Sequence, residues 1–243
     1  MLSSTGDNRT FKHNLLLAVF FAFVAGIINV FGFSELATFT TNLTGHVGEL
    51  AIAIENQSPN SQLLKIISWI GCFALGSFIA SLCTNLFTGT RIKFSYVLPI
   101  ILEIGFLTSC LYLQKNYKLD EIIDLEILLL FTAMGLQNGI VSMVSGNVVR
   151  TTHLTGMVTD FGIGLGEIIM RKKGERQSKI RKIQLTISII FSFAAGAILC
   201  AFLIGYAHHQ VLLIPILLLL ILLFYDYKIL EKSLDMIRER LHV

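Results

Sequence analysis

From Leu15 onward the chain alternates between long apolar runs and short polar islands, with no period-two or 3.6-residue wetting pattern inside the runs. Such all-round apolar stretches of about 20 residues are what a bilayer-spanning helix needs. Six stretches qualify: Leu15–Phe33, Leu63–Phe87, Phe94–Leu113, Leu125–Met143, Ile183–Gly205 and Val211–Tyr227. The first follows a polar, mildly basic start and is too long for a signal-peptide core, so it reads as a retained span. A short turn with His208 and His209 joins the last two. Beyond them, Leu230, Leu234, Ile237 and Leu241 recur at helical spacing in a charged tail, which predicts a helix lying on the membrane surface. Phe31, Phe33, Trp69, Tyr96, Tyr112, Tyr117, Tyr206, Tyr225 and Tyr227 sit near span ends and suit the headgroup belt.

Two segments fit neither class. Leu36–Ile54 and Val148–Ile169 are too polar to face lipid and too apolar for an open loop. They also carry an internal repeat. Thr40-Thr41-Asn42-Leu43-Thr44-Gly45-His46-Val47-Gly48-Glu49 aligns with Thr151-Thr152-His153-Leu154-Thr155-Gly156-Met157-Val158-Thr159-Asp160. The match extends upstream, from Ala25–Asn29 to Met134–Asn138, and downstream, from Phe73–Gly76 to Phe193–Gly196, with Pro99 answering Pro215. The expected fold is therefore an all-α polytopic membrane protein of two homologous halves, 15–118 and 119–227. Each half holds three full spans and one polar broken or half-membrane segment. A tail of residues 1–14 precedes them, and an amphipathic tail of 228–243 follows.

Composition agrees: the chain of 243 residues is 54% hydrophobic and 14% charged, against about a quarter charged in soluble domains. The island Arg171–Lys182 holds seven basic residues and belongs on the cytoplasmic side of a cell membrane, with both termini. If the polar segments only dip into the bilayer, there are six crossings and inverted halves. If they cross, there are eight crossings and parallel halves. The charge rule does not separate the two, because either way sixteen of the nineteen Lys and Arg residues lie inside. Cost favours dipping, since irregular backbone at membrane depth is tolerated only inside protein or against a cavity. The basic residues flank spans and form no stripe, so nucleic acid is not an expected partner. Cys72, Cys83, Cys110 and Cys200 lie in apolar runs without ligand spacing and read as packing residues.

The run Gly135-Leu136-Gln137-Asn138, followed by Thr151-Thr152-His153-Leu154-Thr155-Gly156 and Asp160, resembles the hallmark of the YoaK-like bacterial membrane family of unknown function. The resemblance covers nearly the whole chain. Thr44-Gly45-His46 is similar to that family's Thr-Gly-Asn element, with His where Asn is usual. The resemblance implies a multi-pass membrane protein and assigns no activity.

Chemically, each repeat leads a Thr-rich stretch through Gly into a helix. Helix starts present free N–H groups and a positive dipole end, and broken helices in transporters use them to bind solutes. The expected substrate-binding or translocation residues are Thr41, Asn42, Thr44, Gly45, His46 and Glu49, with Asn138, Thr151, Thr152, His153, Thr155, Gly156 and Asp160. Structural hydrogen bonding by the same hydroxyls is the plainer alternative. Glu49 and Asp160 occupy equivalent repeat positions, and Arg150 is a candidate partner for Asp160. Glu103, mid-span after Pro99, suits proton coupling or a buried structural carboxyl. Gly71, Gly76, Gly162, Gly164 and Gly166 are expected to serve helix packing. No metal is expected without converging ligands, and no cofactor without a phosphate loop. The expected activity is transport of a small polar or anionic solute between the halves. An enzyme using His153 and Asp160 on a lipid-linked substrate, or a non-catalytic assembly partner, are the alternatives. The lipid bilayer is the expected partner, and a homo-oligomer is compatible with the sequence.

Overall fold

The computed structural model describes residues 10–86, 94–146, 148–149, 151–170 and 176–225. The described helices are α1 (Phe11–Leu36), α2 (Leu43–Glu55), α3 (Asn60–Leu86), α4 (Phe94–Asn116), α5 (Leu119–Ser145), α6 (Leu154–Met170) and α7 (Arg176–Ala207). A 3-10 stretch, His208–Leu212, leads into α8 (213–225). Most helices overrun the apolar stretches that predict them, because polar end turns reach water or headgroups, where backbone groups are satisfied. Thus α1 begins inside the expected tail, with Thr10 and His13 capping each other's backbone N–H. Likewise the basic residues Arg176–Lys182 form the first turns of α7. The expected surface tail 228–243, Arg91 and Arg150 lie outside the described residues.

Five helical segments are long and apolar enough to cross a membrane, and the protein is a multi-pass helical membrane protein. The last of them, Lys179–Tyr225, counts 47 residues, about 70 Å if straight and more than twice a hydrocarbon core. It is broken at the 3-10 stretch, where His208 takes a φ of 44°. The apolar windows of α1 and α5 are 61% and 67% buried, whereas those of α3, α4 and the last segment are only 22–28% buried. So α1 and α5 form the centre, and the others turn side chains such as Phe78, Phe191 and Phe202 outward. The largely apolar interior also encloses polar side chains: Thr40, Glu103, Glu126, Gln137 and Thr151 are fully buried.

Glycine sets the helix pairs. Gly26 of α1 faces the Phe193 carbonyl of α7, and Gly196 of α7 faces the Phe23 carbonyl of α1. Gly135 of α5 faces the Phe73 carbonyl of α3, and Gly76 of α3 faces the Thr132 carbonyl of α5. A Cβ at any of these positions would collide with the opposing backbone. Ser192 Oγ donates to Val19 O (2.6 Å) across the first pair, and Ser77 Oγ to Gly135 O (2.9 Å) across the second. In each pair residue numbers rise together, so α1 runs parallel to α7 and α3 parallel to α5. Gln137 Nε2 donates to Phe21 O (3.0 Å) and ties α5 to α1.

Two expectations need correction. Gly76 and Gly164 do pack closely, but Gly71, Gly162 and Gly166 meet nothing within 4 Å. They lie on outward helix faces, where small side chains create no contact. Among the belt aromatics, Phe31 is fully buried and Trp69 turns inward onto Phe131, with centroids 6.0 Å apart. Tyr112, Tyr117, Tyr206 and Tyr225 are exposed.

Gly76→Val and Gly135→Val should each lower the thermal unfolding midpoint of the purified protein, by an overpacking cost on the order of 1–3 kcal/mol. Gly71→Val should leave it nearly unchanged, as a thermal melt of each variant in detergent would reveal.

Candidate functional site

Both polar segments begin by folding back along the helix they follow. α1 ends at Ala37 in the left-handed region (φ 53°), and α5 ends at Gly146 in the same conformation (φ 63°). After Ala37 the chain crosses Gly32, where a Cβ would strike Thr38 O and the Thr40 methyl. The returning strand is then fixed by an asparagine seven residues before each helix end, about 10 Å along the axis. Asn29 Oδ1 accepts from Thr41 N (3.1 Å) and Thr41 Oγ1 (2.9 Å). Asn138 Oδ1 accepts from Thr152 Oγ1 (2.8 Å), while its Nδ2 donates to Met134 O (2.9 Å).

The rest of the Thr-Thr-x-Leu-Thr-Gly pattern builds a helix start. The variable position is the N-cap: Asn42 Oδ1 accepts from Gly45 N (3.2 Å) and from Thr44 Oγ1 (3.3 Å). Glycine follows three residues later because the cap side chain lies over it. A Cβ on Gly45 would hit the Asn42 amide, and one on Gly156 would come within 2.6 Å of His153 Cδ2. The first Thr of each motif, Thr40 and Thr151, is fully buried, and neither hydroxyl has a hydrogen-bond partner. From these starts run α2, 13 residues, and α6, 17 described residues, about 20 and 25 Å long.

The two starts meet at one cavity of 870 Å³. From the first motif it takes Thr41, Asn42, Leu43 and Thr44; from the second, Thr152, His153, Leu154, Thr155, Gly156 and Thr159. Asn29, Asn138 and Ser142 add polar groups, and Phe39, Phe73 and Phe193 add aromatic faces. Among the described residues no Lys, Arg, Asp or Glu lines this chamber, and His153 is the one titratable group. The walls thus offer hydroxyls, amides and two positive helix ends to a solute that needs hydrogen bonds more than a counter-charge. A second cavity of 710 Å³ shares His153 and Gly156 with the chamber and adds Asp160, Arg181 and Lys182.

Several expected residues lie outside the chamber wall. Gly45 is behind its cap, and Thr151 is sealed in the interior. His46 is buried between Trp69 and Phe131, with centroids 5.4 and 5.3 Å away. Glu49 lines a separate cavity of 290 Å³ beside Lys65 and Trp69. Asp160 Oδ2 pairs with Lys182 Nζ of α7 at 3.0 Å. Glu103 is wholly enclosed in α4, with neither carboxyl oxygen partnered, and lines none of these three cavities. Among the described residues no three His, Cys, Asp or Glu side chains gather as a metal site. Sequence reasoning left out Asn29, Phe39, Phe73, Ser142, Thr159 and Phe193. The repeat already paired Asn29 with Asn138 and Phe73 with Phe193, which was the signal available for Asn29, Phe73 and Phe193.

Comparison with known proteins finds one family match: the model described as a protein of unknown function, DUF1275, covers residues 17–225. No curated protein and no solved structure matches the chain.

Asn29→Ala removes an acceptor from two donors of Thr41, and Asn138→Ala removes one from Thr152. Each should destabilise the protein, by about 1–3 kcal/mol for a stranded buried donor. Asn29→Ala is expected to be the more damaging in thermal unfolding of the purified variants.

Proposed function

We propose that this chain, which belongs to the DUF1275 family, is a membrane transporter or channel for a small polar or anionic solute held in the chamber between two related halves. The observation that carries the reading is the meeting of both Thr-Thr-x-Leu-Thr-Gly helix starts around one 870 Å³ cavity. That volume lies within the usual range of small-molecule sites. Neutral or singly anionic solutes suit it, because among the described residues the wall supplies donors and no carboxylate. The basic second cavity, reached past His153, favours an anion at that end.

We read the architecture as an inverted duplication with six crossings and two re-entrant elements. Three kinds of observation support it. Matching glycines pair α1 with α7 and α5 with α3. Both fold-backs start at a left-handed residue and end on an asparagine. Finally, α2, with 13 residues, is shorter than a spanning helix needs. In this arrangement Lys65, Lys115 and Lys118 alone among the Lys and Arg residues face outward. The termini then lie in the cytoplasm of a cell-membrane protein. His153 and Asp160 share the second cavity, yet Asp160 is committed to Lys182, which weakens an acid–base enzyme reading.

Impermeant maleimide should label Lys118→Cys from outside intact cells and label Arg91→Cys only after permeabilisation. The reverse pattern means eight crossings. For function, proteoliposomes would be offered labelled polyol, zwitterionic amino acid, monocarboxylate and phosphate. At least one should enter faster than into empty liposomes, and Thr44→Val and Thr155→Val should slow it about tenfold, the worth of roughly 1.4 kcal/mol. A rate indifferent to both substitutions would remove the chamber from the route.

A further inference from the structure

His46 makes two hydrogen bonds that together fix a proton count. Its Nε2 lies 2.8 Å from Phe39 O, and its Nδ1 lies 2.9 Å from Glu49 Oε2. A carbonyl oxygen has no proton to give, so Nε2 must carry one and donate it. The Nδ1–Oε2 contact needs a second proton, held either by the ring or by the carboxyl. The pair is then imidazolium with carboxylate, or imidazole with carboxylic acid. If that second proton leaves for water, one ring proton faces two acceptors, and one of the two contacts must open.

Exposure shows where the proton comes and goes. The His46 side chain is 3% exposed and has aromatic rings on two sides, while that of Glu49 is 56% exposed at the 290 Å³ cavity. We propose that His46 and Glu49 together bind one exchangeable proton, taken up from and released to this side cavity. The site does not depend on what the chamber carries. It touches that reading only through Phe39, whose carbonyl His46 holds and which also lines the chamber.

Among the described residues, Lys65 shares the side cavity with Glu49 but is paired with another acid, and the remaining charges on this side lie on other contacts or elements. On α3, Lys65 Nζ is 2.8 Å from Asp124 Oδ2 of α5. Also on α5, Glu126 accepts from Gln114 Nε2 with both oxygens, at 2.7 and 2.8 Å. Glu35, at the end of α1, stands 3.7 Å from His208, and Glu55 is at the far end of α2. The repeat-related positions are Met157 and Asp160. There the acid has a lysine beside it, a fixed counter-charge, so the titratable arrangement occurs in one copy of the motif only.

Trp69 is the single tryptophan of the chain, and its ring meets His46 edge-on at 5.4 Å. An imidazolium quenches indole emission more strongly than a neutral imidazole. The full-length protein in lipid nanodiscs, without added solute, would be titrated between about pH 5 and pH 9. Trp69 emission should fall in one single-proton step as pH drops. Glu49→Gln, a half-exposed substitution that keeps volume, should move that step, because it removes the ring's carboxylate partner. His46→Gln should abolish it. A step unmoved by Glu49→Gln, a step surviving His46→Gln, or a flat wild-type profile overturns the proposal. Because no solute is present, such a failure says nothing against the chamber. Absent flux in liposomes would equally leave the proton site standing.

Discussion

Everything in this molecule follows from a single constraint: inside hydrocarbon, a backbone that leaves the helix must find its hydrogen bonds within the protein. The chain leaves the helix after α1 and again after α5, and both times folds back within the protein. Each time the departure runs along the helix just completed, toward an asparagine side chain. The surroundings are supplied by glycine contacts that draw α7 against α1 and α3 against α5. Without those close approaches the fold-backs would face lipid, and the polar cavity between them would have no walls.

The two copies of the motif share a scaffold and differ where chemistry is expected. Asn42 and His153 occupy the same cap position, yet only His153 brings a titratable ring to the chamber. His46 and Met157 likewise correspond, and only His46 engages a carboxylate. Identical positions therefore carry the framework: the threonines, the leucine and the glycine. The variable ones differ in chemistry between the two motifs.

Much of this was legible in the residues. Long apolar runs announce helices because nothing else spans lipid, and the repeat located both polar segments before any coordinates. The positions Thr41, Asn42, Thr44, Thr152, His153, Thr155 and Gly156 do face one cavity. What escaped was direction. A motif aligned over ten residues does not reveal that Gly45 lies beneath its cap, that Glu49 points to a different cavity, or that Lys182 reaches Asp160 from a neighbouring helix. Glycines were equally ambiguous: Gly71 and Gly76 sit five residues apart in one apolar run, and only one of them meets another backbone. Side-chain facing depends on partners far away in sequence, and periodicity within a uniformly apolar stretch does not encode it.

That distance carries a consequence for how the protein is made. The glycine of α1 closes against a residue 167 positions later, Gly26 against Phe193. During synthesis at about 5–20 residues per second, α1 therefore waits roughly ten seconds or more in the bilayer before its mate has been translated. Through that interval its small-residue groove and the fold-back beside it are uncovered. The same wiring means that neither half closes on itself, so two separately expressed halves would have to find each other to become stable.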